Sequence, residues 1–124
     1  MLKPQKYRVI QDYQSPYPDP IVFRRGEKVT VGREFKDDPD WLNWRKCEGK
    51  DKNAAWVPVQ YLTIEGKSGI LKQDYNAREL TIHKGKTVTV NEVINGFGMA
   101  EKVDGNKGWI PMRNLEILNA PTND

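Results

Sequence analysis

Apolar and polar residues alternate in short runs along this chain, and no stretch repeats them at helical spacing. Val29-Thr30-Val31 and Val88-Thr89-Val90 each place two valines on one face of an extended segment and a threonine on the other. No window carries apolar groups at i, i+3, i+4 and i+7 behind a cap. Gly26 and Gly85 each precede one of the valine strands, where a turn needs a residue that tolerates positive φ. Asp104-Gly105 predicts a hairpin turn between strands over 99–103 and 106–110, and a matching hairpin is expected from about Arg45 to Val57. Short strands at this spacing predict an all-β chain built from small barrels.

The pattern is written twice. Asp12-Tyr13 precedes Asp74-Tyr75 by 62 residues, Gly26 precedes Gly85 by 59, and Trp44, Trp56 and Pro58 precede Phe97, Trp109 and Pro111 by 53. Each drop in offset falls between matched blocks, where loops absorb deletions. Two barrels in tandem are therefore expected, one over 1–65 and one over 66–118, with a polar tail over 119–124. The stretch from Thr63 to Gly69 reads as a short linker that holds the barrels together. Inward positions are Val9, Ile21, Phe23, Val29, Val31, Cys47, Val57 and Leu62 in the first copy. In the second they are Leu71, Leu80, Ile82, Val88, Val90, Ala100, Ile110 and Leu115. Cys47 matches Ala100, which predicts a buried thiol with a packing role.

Composition narrows the function classes. The net charge of +3 is mild, and the halves are balanced, with 12 basic against 10 acidic residues over 1–65 and 8 against 7 over 66–124. That balance disfavours nucleic acid as a partner. No apolar run is long enough for a membrane span, and the segment from Met1 to Lys6 lacks the apolar core of a signal peptide, so a cytoplasmic site is expected. One histidine, His83, and one cysteine, Cys47, offer no Ser/His/Asp set and no zinc spacing, and no Gly-rich phosphate loop precedes a helix. No enzyme activity, metal or cofactor is expected.

The ordered motifs resemble the Src homology 3 (SH3) family, present as a tandem pair. Val9-Ile10-Gln11-Asp12-Tyr13 stands where the family has an Ala-Leu-Tyr-Asp-Tyr string. Ile21-Val22-Phe23-Arg24-Arg25-Gly26-Glu27 matches its next stretch, Trp44 its binding tryptophan, and Trp56-Val57-Pro58-Val59-Gln60-Tyr61-Leu62 its closing string. The second copy repeats this with Leu71-Lys72-Gln73-Asp74-Tyr75, Leu80-Thr81-Ile82-His83-Lys84-Gly85, Phe97, and Trp109-Ile110-Pro111-Met112-Arg113-Asn114-Leu115. The whole looks like the tandem variant-SH3 proteins of prokaryotes.

The resemblance implies a noncatalytic module that binds a protein or peptide through an extended, proline-containing segment. Such a segment is already stiff and loses little entropy on docking between aromatic walls. On the first barrel the implied groove is Tyr13, Trp44, Pro58 and Tyr61 with Trp56 at its edge, and Tyr17 and Asp19 in the first long loop. A reduced second site comprises Tyr75, Phe97, Trp109 and Pro111. Gln11 and Gln73 each replace a family tyrosine; the second copy also has a first loop of only Asn76-Ala77-Arg78-Glu79, Phe97 without an indole donor, and Asn114 where the first copy has Tyr61, so the second barrel is expected to be mainly structural. Asp37, Asp38 and Asp40 read either as a solvated loop or as a charge pocket. The alternative function is a structural or assembly module with the aromatics at inter-barrel or oligomer contacts. A stacking platform for nucleic acid or cell wall, with Arg24, Arg25, Lys28, Arg45 and Lys46, ranks below both. Oligomeric state is not encoded in any of these motifs.

Overall fold

Alternating apolar residues make strands, and the computed structural model, which describes residues 4–16 and 21–118, is all-β. The tail expected over 119–124 lies outside the described residues. The strands are β1 (Gln5–Val9), β2 (Val22–Phe23), β3 (Lys28–Glu34), β4 (Trp44–Glu48), β5 (Ala54–Pro58) and β6 (Leu62–Glu65). They continue as β7 (Ser68–Leu71), β8 (Tyr75–Asn76), β9 (Thr87–Ile94), β10 (Phe97–Lys102), β11 (Lys107–Pro111) and β12 (Leu115–Ile117). Short 3-10 turns over Pro39–Trp41, Val59–Tyr61 and Met112–Asn114 complete the described elements. Gly26 and Gly85 adopt the expected positive φ, +84° and +95°. Among the described residues no helix is long and apolar enough to cross a membrane.

The sheets do not follow the order of the chain. One runs β5-β4-β3-β7-β6 and the other β11-β10-β9-β1-β12, while β2 pairs with β8. The first strand of each copy therefore sits in the sheet of the other. The chain divides into a contiguous unit, Asp19–Arg78, and a split unit, Met1–Pro18 with Glu79–Asp124. The sequential division expected at 65/66 follows the repeat in the sequence, but the strand pairing divides the chain elsewhere.

Local geometry explains the exchange. The segment expected as a linker is a hairpin: Glu65 pairs with Ser68, leaving Gly66 and Lys67 as a two-residue loop. Gly66 has φ +62°, which suits the first central position of a type II′ turn, the kind that matches strand twist. The slot beside β6 and β3 accepts either first strand. Leu71 faces Leu62 and Gly69 faces Val29 there, just as Val9 faces Leu115 and Tyr7 faces Val88 in the other sheet. These pairings are the same register under the repeat offsets. Joining β7 to β6 closes a loop of two residues, whereas β1 reaches β3 only around residues 10–27. The shorter closure is favoured by about 2 kcal/mol, so β7 takes the slot. The displaced β1 fills the equivalent slot between β9 and β12.

Packing confirms the pairing. Val9 is 1% exposed and clusters with Leu80, Ile82, Val88, Val90, Ala100, Ile110 and Leu115, all from the second copy. Leu71 is buried in the contiguous unit along with Phe23, Val29, Val31, Cys47, Val57 and Leu62. Of the residues expected to face inward, Ile21 alone is only half-buried. Burying an aliphatic side chain of this size contributes roughly 1.5–3 kcal/mol, and an empty slot would also leave two strand edges unpaired.

The repeated Asp-Tyr pair anchors each exchanged segment. Asp12 accepts a hydrogen bond from the Lys84 backbone N–H at 2.6 Å, and Asp74 accepts the matching one from Arg25 at 2.8 Å. The Tyr75 hydroxyl donates to the Trp56 carbonyl at 2.7 Å, while the Tyr13 hydroxyl donates to the Glu79 carboxylate. Asn114 adds bonds from its Nδ2 to the Gln11 and Asp12 carbonyls, so the residue that replaces a tyrosine holds the exchanged chain by its backbone. Burial raises the Glu79 pKa, and the Tyr13 hydrogen bond offsets part of that rise.

Two predictions follow from this pairing. A protease site placed in the Gly66-Lys67 turn and cut in the folded protein should leave fragments that co-elute under native conditions, because each holds a strand of the other's sheet. Separation into two free barrels would contradict the exchange. For Glu79, the folded state keeps its proton as pH rises above 4.5, where the unfolded chain loses it. Stability therefore falls as pH rises through that window and levels off above the raised folded value. Glu79→Gln keeps an acceptor for Tyr13 and should remove this dependence, read by urea unfolding at several pH values; a constant difference between the two proteins would exclude it.

Candidate functional site

The richest surface chemistry lies on the outward face of β3, β4 and β5 in the contiguous unit. Strand alternation sorts the residues. Cys47 and Val57 point into the core, and Trp44, Lys46, Trp56 and Pro58 lie on the opposite face, where Trp44 and Pro58 are themselves buried and Lys46, across from Trp56, is half-buried with it. A register shift between Val31 and Glu34 interrupts β3. The shift centres on Gly32, where an added Cβ would lie 2.8 Å from the Lys46 carbonyl oxygen. The Arg45 guanidinium clamps it, donating from Nε and Nη2 to the Gly32 carbonyl at 2.9 and 2.6 Å. Within the shifted stretch, Arg33 lies over the Trp56 ring, 4.9 Å from its centroid, and the Lys46 ammonium lies 5.2 Å from it.

The loop over 35–43 completes the cluster. Phe35 meets Trp56 edge-on at 5.2 Å and Trp41 at 6.0 Å. Asp38 accepts from the Asp40 backbone N–H at 2.9 Å and so caps the 3-10 turn that carries Trp41. Asp38 therefore has a structural duty, whereas Asp37 and Asp40 are exposed. The second copy lacks this loop: Asn95-Gly96 closes β9 onto β10 in two residues, both at positive φ.

The residues expected to line one groove are distributed differently. Trp44, Trp56, Pro58 and Tyr61 remain together in the contiguous unit, but their tyrosine neighbour is Tyr75, whose ring meets Tyr61 edge-on at 5.3 Å. Tyr13 belongs to the split unit with Phe97, Trp109 and Pro111. The cause is the strand exchange, which carries each Asp-Tyr segment into the other sheet. Tyr17 and Asp19 lie outside the described residues. Burial differs from an open groove as well: Trp44 is 6% exposed, Tyr61 5%, Tyr75 3%, Phe97 8% and Trp109 2%, and Pro58 and Pro111 are fully buried. Trp56 is half-buried.

Sequence reasoning passed over Arg33 and Phe35. The available signal was their absence from the second copy, where Glu92 and Ile94 hold the matched positions. Cys47 is packing, as expected: burial pushes its thiol up to about 11, against a smaller opposing effect of Arg45, so it is no nucleophile. The face thus carries an aromatic cluster with two cations near its central ring.

The variant SH3 domain family matches twice, over residues 6–65 and 69–118. The two matches follow the sequence repeat, each taking in one sheet body together with a first strand that pairs in the sheet of the other copy. On these matches and the all-β architecture, the chain belongs to the variant SH3 family, as a tandem pair.

Proposed function

We propose that this chain is a noncatalytic protein-interaction module whose contiguous unit presents the binding face, centred on Trp56 with Phe35 and Trp41 beside it. The split unit, built on the second copy, is mainly structural. Family membership supports the class, because SH3-type domains generally mediate protein interactions. One observation carries the choice of face: Trp56 is half-buried, while Trp109 at the matched position is 2% exposed. An aromatic that keeps part of its ring in solvent has area left for a partner. The preferred ligand is an extended segment, proline-containing in the simplest case, because a stiff chain docks on a flat indole at small entropic cost.

Alanine substitutions separate binding from packing. Trp56→Ala should leave the fold intact by thermal unfolding and weaken binding of proline-containing peptides by about tenfold, the size of a modest hot spot. Trp44→Ala and Trp109→Ala should instead destabilise the protein by about 3–5 kcal/mol, the usual cost of emptying a buried aromatic site. Unaltered peptide binding by Trp56→Ala would overturn the assignment.

A further inference from the structure

Resting on the protein-interaction reading, we infer that the Trp56 face takes an acidic extended segment, with carboxylates meeting Arg33 and Lys46. Arg33 lies over the indole, 4.9 Å from its centroid, and makes no ion pair among the described residues. Arg33 is exposed, and a guanidinium presents its N–H donors in a planar fork that suits a carboxylate. Lys46 adds a second positive charge at the same ring.

The second copy shows that the fold does not need these cations. Arg33 corresponds to Glu92 and Lys46 to Met99, and Glu92 and Met99 face one another across β9 and β10. The same sheet position is thus filled by a carboxylate and a thioether beside a tryptophan with almost no exposure. Cations occur where the tryptophan is accessible and are missing where it is buried. The partner is a peptide rather than a polyphosphate, because Glu34, Asp37, Asp40 and Glu48 also lie on this strand pair and its loop. Those charges would repel a strand with a phosphate at every step, yet leave room for spaced carboxylates.

The test is an amide-shift titration of the full chain with three twelve-residue peptides that alternate proline with Glu, Lys or Ser, and with a twelve-residue oligothymidylate. The Glu-Pro peptide should shift the Trp56 indole N–H, bind more weakly as salt is raised, and lose about tenfold affinity for R33E/K46E. Thermal unfolding of that variant checks that it remains folded; if it does not, R33Q/K46Q serves in its place. Equal or tighter binding of the Lys-Pro or Ser-Pro peptide at Trp56 would overturn the acidic preference and leave the interaction module standing. Glu-Pro affinity indifferent to the substitutions would overturn it also. Tighter binding of the oligonucleotide at the same residues would replace the peptide with nucleic acid. No amide shift with any of the three peptides would remove the interaction reading itself.

Discussion

Gly66 and Lys67 alone separate β6 from β7, and that separation governs strand order in both sheets. A two-residue hairpin loop gives its strands no choice of partner. Once β7 lies against β6, the first body is complete and β1 has no place in it. Among the described residues, the other slot with the same register lies between β9 and β12, and Val9 fills it to 1% exposure. Chain connectivity, rather than any special affinity of one strand for one sheet, selects the partner. The side-chain anchors then act on whichever segment arrives, which is why Asp12 and Asp74 make matched bonds to Lys84 and Arg25.

The exchange also redistributes the aromatic residues. Each Asp-Tyr segment brings its tyrosine to the sheet body of the other copy, so Tyr75 joins Tyr61 and the Trp56 carbonyl while Tyr13 meets Glu79. A site assembled by copy number mixes residues from two units. A site assembled by strand pairing isolates one face, on β3, β4 and β5, where a bulge at Gly32 and a nine-residue loop over 35–43 surround Trp56. The split unit has a two-residue turn at the corresponding place and a buried Trp109, so the two copies differ most at this face.

Much of the fold was legible from residue pattern. The repeat, the all-β class, the turn glycines and nearly all inward positions follow from alternation and offsets, because burial in a strand leaves a period of two. Sheet membership does not leave such a trace. Val9 and Leu71 carry the same pattern whether they stay or exchange, since both slots ask for the same side chain in the same register. The decisive signal was the length between Ile64 and Gly69, which reads as a linker or as a hairpin depending on whether Gly66 takes a turn conformation. The site was less legible for a related reason. Trp44 and Trp56 look alike in spacing, and only tertiary packing makes one 6% exposed and the other half-buried. Arg33 leaves no local trace in the sequence, because its partner is a ring two strands away rather than a neighbour in sequence.

Cross-strand nuclear Overhauser effects from Val9 and Leu71 test the exchange most directly. Backbone protons of facing residues in an antiparallel pair lie close enough to give strong signals. Exchanged strands give contacts of Val9 with Leu115 and of Leu71 with Leu62, in the registers of β1–β12 and β6–β7. Contacts of Val9 with Leu62 and of Leu71 with Leu115 would mean that each copy keeps its own first strand, and would contradict the exchange.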